Sequence, residues 1–232
     1  MDENAQGTLI VTIGKCLPDA ADKYVYPVVP GMAEWTSVSP DEKDRLSRLP
    51  EKKLKELSTF ALIQSLLEMP LLSLNYWASS NSSPLGTCDV IFSMHNSIPE
   101  FENRKNSMEA LIAYFEATCL DCLPSLDVHA ATQLSIQLTV LEMLFTRKKI
   151  LQPLDAVQKK RVVALMLDQY KQKAENRLGV GGTLAAMAWI MYDDHYLPIR
   201  TLYENRGQSR AYFEVYQEEA DYIVSSAENY IH

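Results

Sequence analysis

Glycine is scarce in this chain. There are eight in 232 residues, about half of the usual ~7% share. That speaks against a loop-rich all-β fold. No run of about 18 consecutive apolar residues occurs, so nothing in the sequence reads as a transmembrane helix. Basic charge is also short: 22 Lys and Arg stand against 30 Asp and Glu, a net charge of −8. Nucleic acids and anionic membranes are bound through positive charge, so neither is an expected partner. Cysteines number four, Cys16, Cys88, Cys119 and Cys122, too few to fix the redox compartment. The start lacks a basic and then apolar run, since Met1 leads into Asp2 and Glu3. Two readings follow: a cytoplasmic protein, or a chain in which Met1 replaces a removed export leader.

What is present is ordinary globular composition, 47% apolar and 22% charged. A chain of this length suits one large domain or two small ones and buries enough surface to fold without disulfide or metal. The expected fold is mainly α: a multi-helix bundle or irregular helical array with a short N-terminal extended or β segment. Residues 1–36 are expected to lie as an extended segment on a single helical domain of residues 37–232. Short Pro-started helices keep a HEAT-like array as a lesser alternative.

Residues 8–13, TLIVTI, are β-branched and apolar and read as a strand. Pro27, Pro30 and Gly31 then favour extended chain and a turn, with Trp35 expected as a buried anchor. Ser39 before Pro40, Asp41 and Glu42 is a helix start. Pro50 and Ser58 or Thr59 open two more, and Pro70 closes the third. A polar loop is expected over 77–87. Helices follow over 106–118 and 126–145. Asp155 with Gln158 forms a capping-box pattern opening a long helix that ends near Gly179. Residues 183–192 are apolar all round and predict a buried central helix capped by Thr183. A last helix over 209–230 is striped by Tyr212, Tyr216, Ile223 and Ala227. Its outer face carries Glu214, Glu218, Glu219, Asp221 and Glu228.

The stretch RLGVGGTLAAMAWIM (Arg177–Met191) raises the question of a phosphate-binding loop. Such loops follow a strand and bring a lysine or a GxGxxG pattern. Here a charged helical stretch precedes and no lysine follows. The run reads as a helix–helix bend, with Gly179 as a left-handed C′ residue.

Chemistry-bearing residues are scattered. Cys119 and Cys122 form one CxxC, half of a closed zinc site, and read as a disulfide or thiol pair at a helix end. Asp193-Asp194-His195 is the most ligand-like run, since carboxylates with imidazole suit a divalent ion. A metal-assisted hydrolase built there is the alternative to simple helix termination. His95 and His129 stand alone. Arg147-Lys148-Lys149 and Lys159-Lys160-Arg161 could face an anionic partner, though the first also suits a helix C-terminus. No GxSxG or HExxH motif occurs. No catalytic residue, cofactor-binding residue or cofactor is therefore assigned.

YPVVPGMAEW (Tyr26–Trp35) followed by LPEKKLKELSTFALIQSLLEMPLL (Leu49–Leu72) resembles a family of mostly exported bacterial proteins without known function. Its Tyr-Pro…Pro-Gly…Glu-Trp segment precedes a Pro-started helix and a Ser-Thr helix opening that ends in Tyr-Pro-Leu. Met69-Pro70-Leu71 stands in that last place here. The resemblance covers residues 26 to about 115 and carries no catalytic residue. It implies a mainly helical, extracytoplasmic protein, in the periplasm or at the cell surface, with an export or lipid-anchor leader. The function expected on these grounds is a non-enzymatic envelope interaction module with an unidentified protein partner. A cytoplasmic partner-binding or regulatory protein is the alternative.

Overall fold

The computed structural model describes residues 16–79, 83–204 and 213–232. Among the described residues there are fourteen α-helices, two 3-10 turns and no strand. The expected mainly helical fold is what is seen. The strand expected over 8–13 lies outside the described residues. The chain divides into two compact units, residues 1–78 with 91–134 and residues 79–90 with 135–232.

The first unit is built from short helices: α1 (Ala33–Ser37), α2 (Pro40–Leu46), α3 (Glu51–Glu56), α4 (Thr59–Leu67) and α5 (Leu72–Ala78). Helix α6 (Pro84–Met94) contributes residues to both units. Helices α7 (Ser97–Asn103) and α8 (Ser107–Glu116) and a 3-10 turn (Leu120–Ser125) follow. The starts are those expected. Ser39 accepts from the Glu42 amide and Ser58 from the Ala61 amide, and Pro40 occupies the first turn of α2. Helix α4 is the core of the unit, with eight of its nine residues buried. It packs on α7 and α8, and Phe60 meets Tyr114 at 4.6 Å between ring centroids.

Two expectations need correction here. Residues 77–78 and 84–87 are helical, so the loop expected over 77–87 is shorter. Trp35 is half-buried, with the Lys43 ammonium 5.1 Å from its ring centroid. Helix α1 buries none of its residues.

The second unit uses longer helices. Helix α9 (Val128–Leu144) contributes to both units; α10 (Lys148–Leu151), α11 (Ala156–Glu175), α12 (Gly181–Asp193), α13 (Leu197–Glu204) and α14 (Ala220–Ile231) follow. The capping box at Asp155 and Gln158 forms in full. Helix α12 is buried along nine of its thirteen residues, as its apolar sequence predicts. It packs with α11 and α14. The last helix starts at Ala220 after a 3-10 turn (Gln217–Glu219), later than expected, and Tyr212 lies outside the described residues. Arg147 stands at the N-cap position of α10, and its side chain pairs with Asp89 at 3.2 Å.

Candidate functional site

Helix α11 ends in a Schellman motif. Leu178 N–H donates to Lys173 C=O (2.9 Å) and Arg177 N–H to Ala174 C=O (3.2 Å). The left-handed residue is Arg177, with φ 58°, and not Gly179 as expected. Gly181 and Gly182 lie inside the first turn of α12, so the bend is completed earlier in the chain. Gly182 is required for another reason. A Cβ there would stand 2.7 Å from the side chain of Thr139 on α9, so the absent side chain permits a close helix–helix approach. Thr183 is not the cap of α12 but faces the interior, fully buried.

That hydroxyl belongs to a buried polar triad. Lys173 of α11 donates to Glu142 Oε1 of α9 at 2.6 Å and to Thr183 Oγ1 at 3.0 Å. Thr183 in turn donates to the same Glu142 oxygen at 2.7 Å. All three residues have no exposed surface, and Glu142 Oε2 is buried with no hydrogen-bond partner. The sequence signal was present: Glu142 is the single charge in the apolar run LTVLEMLF. Its lysine partner, 31 positions on, had no comparable mark.

The Asp193-Asp194-His195 run is a second Schellman terminus. Tyr196 N–H donates to Met191 C=O (3.0 Å) and His195 N–H to Tyr192 C=O (3.1 Å). His195 adopts φ 59°. Two carboxylates at a helix C-terminus oppose its dipole, and Lys159 offsets them. Its ammonium lies 3.0 Å from Asp194 Oδ1 and 3.3 Å from Asp193 Oδ2. Burial pulls the lysine's pKa down, but the bonds to Asp194 and Asp193 outweigh it and hold the pKa above the ordinary value. Tyr230 of α14 donates to Asp194 Oδ2 at 2.8 Å. Burial and that carboxylate push the phenol's pKa up. His195 faces the other way, with Nδ1 3.0 Å from the Arg200 guanidinium, which can only donate. The three expected ligands therefore do not converge on one point. Among the described residues no three His, Cys, Asp or Glu side chains stand where they could hold a metal ion.

Lys159 is thus part of an internal clamp, not of a basic surface. Lys160 lies 5.9 Å from the Tyr230 ring centroid. Of the expected acidic outer face, Glu214, Glu218, Asp221 and Glu228 are exposed. Glu219 is buried and accepts from the Tyr216 amide (3.0 Å) and the Tyr203 hydroxyl (3.3 Å).

In the first unit Cys122 bonds Cys16, with 5.6 Å between their Cα atoms. The expected Cys119–Cys122 pair is not the one formed, and Cys119 is an exposed free thiol. Its amide donates to the Cys16 carbonyl at 2.9 Å. His95, isolated in sequence, is buried in a neutral network. Tyr26 donates its one hydroxyl proton to Ser65 C=O at 2.8 Å, so His95 Nε2, 3.0 Å from the same hydroxyl, is the donor. His95 Nδ1 then accepts from the Ser97 hydroxyl at 2.6 Å. Burial holds this imidazole down at about 4.

No family model, no curated protein and no solved structure matches the chain. Among the described residues no helix is long and apolar enough to cross a membrane.

Proposed function

We propose that this chain is a non-enzymatic interaction module of an exported bacterial protein, working outside the cytoplasm. The observation that carries the reading is the Cys16–Cys122 disulfide. Disulfides form and persist in oxidising compartments, and reducing cytosols keep thiols apart. The resemblance of Tyr26–Trp35 and Leu49–Leu72 to exported proteins supports the same location. The commitment of Asp193 and Asp194 to Lys159 and Tyr230 supports a structural role for the most ligand-like run. A binding role draws support from α5, where Leu74 and Trp77, three positions apart on one helix face, are 63% and 58% exposed. Large exposed apolar groups side by side are the usual mark of a contact surface.

Thiol counting on protein taken from its native cells, combined with fractionation, tests the location. Two reactive thiols after denaturation, Cys88 and Cys119, in material recovered with the envelope or the medium are expected. Four thiols in material recovered from the cytosol would overturn the reading. For the binding role, Leu74→Asp should leave the melting temperature unchanged while abolishing the cross-linked envelope species formed by the wild type. Equal cross-linking by both would place the contact elsewhere.

A further inference from the structure

Three of the four cysteines, Cys16, Cys119 and Cys122, lie together in the first unit, and only two can be bonded at once. Cys119 opens the 3-10 turn as its N-cap and Cys122 lies one turn on. Leu120 and Leu123 are buried beneath that turn and hold it in place. Cys122 Sγ lies 3.7 Å from the Cys119 carbonyl oxygen. Cys16 is 1% exposed, and its carbonyl accepts from the Cys119 amide. The residue that carries the free, exposed thiol therefore touches both halves of an existing disulfide through its backbone.

We propose that Cys119 is the exchange thiol of this disulfide. The Cys119 thiol gives its proton to solvent and attacks Cys122 Sγ as a thiolate, the nucleophilic form. The Cys119–Cys122 bond forms as the Cys122–Cys16 bond breaks, and Cys16 leaves as a thiolate that takes up a proton. One disulfide and one thiol are present before and after, so no oxidant or reductant is consumed. The exchange replaces a covalent link across 106 positions by one across three. Residues 16–20 then keep non-covalent ties, among them the Cys119 amide to Cys16, the Ala20 amide to Gln64 Oε1 (2.6 Å), Gln64 Nε2 to Asp19 Oδ1 (2.9 Å) and the Tyr114 hydroxyl to Pro18 C=O (3.3 Å). The thiol thus makes the tether of the chain's leading segment reversible. The proposal stands whether or not the chain is exported, because the step is redox-neutral once the disulfide exists.

Peptide mapping tests it. The folded, oxidised protein is held for increasing times in native buffer without added thiol or oxidant. It is then acid-quenched, alkylated with N-ethylmaleimide in urea and cut with trypsin. Cleavage after Lys15 and Lys23 frees Cys16–Lys23, and cleavage after Lys105 and Arg147 frees Asn106–Arg147 with both other cysteines. Maleimide on Cys16, matched by unalkylated Asn106–Arg147 carrying an internal disulfide, should rise with time to a plateau in the wild type. It should stay at its zero-time level in Cys119→Ser, whose exposed site tolerates the change. Cys88→Ser should behave as the wild type, which identifies the attacking sulfur. A wild-type signal that never rises above zero time would overturn the proposal. So would a rise that survives Cys119→Ser.

Discussion

The two units solve one problem in opposite ways. In the first, every helix among the described residues that lies wholly within it has ten residues or fewer, short of the ~12–15 at which a helix begins to hold itself in water. Such pieces depend on ties from outside each helix. Asn96 brackets Leu49, donating to its carbonyl (2.7 Å) and accepting from its amide (3.0 Å). Arg104 donates to the carbonyls of Leu54 and Leu57 just where α3 ends. Asp22 accepts from both the amide and the hydroxyl of Ser58 at the start of α4. The disulfide closes the set. In the second unit α11 and α12 have twenty and thirteen residues. The start of α11 is satisfied locally by a capping box and the ends of α11 and α12 by Schellman motifs, and apolar packing does the rest. Side-chain ties to distant backbone replace helix length in one unit; in the other, length leaves room for a fully buried ion pair.

That ion pair is the place to strike hardest. Lys173→Met should cost about 3–5 kcal/mol, because Glu142 is left as a buried, unpaired acid. Urea denaturation followed by circular dichroism reads the loss. Adding Glu142→Leu should restore most of it, since an apolar pair of similar volume avoids the desolvation. A double variant as weak as the single one would show that Thr183, not the ion pair, is the important partner. In the first unit, Cys16→Ser with Cys122→Ser should cost about 2–5 kcal/mol, near the upper end because the closed loop is long. Hydrogen exchange of residues 16–26 and 119–125 should accelerate together. Exchange unchanged in either segment would mean that the polar ties alone hold it.

Acid tests the buried network of the first unit more gently. His95 is held at about 4 when folded, against roughly 6.5 when unfolded. Between those values the unfolded chain binds more protons, so stability is full above about pH 6.5 and falls as pH drops toward 4. A shift of this size corresponds to about 3 kcal/mol. Urea midpoints between pH 7 and 4 should show this slope in the wild type and lose it in His95→Gln. A slope that survives the substitution would assign the acid sensitivity to other groups.

Much of this contrast was readable from residue order, and the unreadable part has a common cause. Ser39, Ser58 and the Asp155–Gln158 box announce helix starts because start signals are local in sequence. The buried character of α12 is equally local, as its apolar residues are continuous. Partner choice across the fold is not local. Four cysteines allow several pairings, and only the fold sets Cys16 beside Cys122. Lys159 reads as one of three surface cations until Asp193 and Asp194 are seen around it. Glu142 is conspicuous alone, but nothing in the chain points from it to Lys173. The end of α11 was expected near Gly179 because its left-handed residue, Arg177, is not a glycine, whereas the end of α12 falls within one residue of the expected place.

Those two stops give the smallest and most discriminating test. Arg177 and His195 hold φ of 58° and 59°, where a side chain costs about 1 kcal/mol or more. Glycine removes that cost but adds freedom to the unfolded chain, so the net gain is smaller than the strain relieved. Arg177 is exposed, and Arg177→Gly should stabilise by about 0.5–1 kcal/mol. His195→Gly relieves the same strain, but it also removes one acceptor of Arg200, which keeps its pair with Glu204 (2.7 Å) and whose Nε is buried without a partner. Its gain should therefore be smaller, close to zero. Calorimetric melting of the two variants side by side decides the matter. Equal gains would mean that the Arg200–His195 bond contributes nothing, and a loss at Arg177 would mean that its side chain, not only its backbone, holds the end of α11.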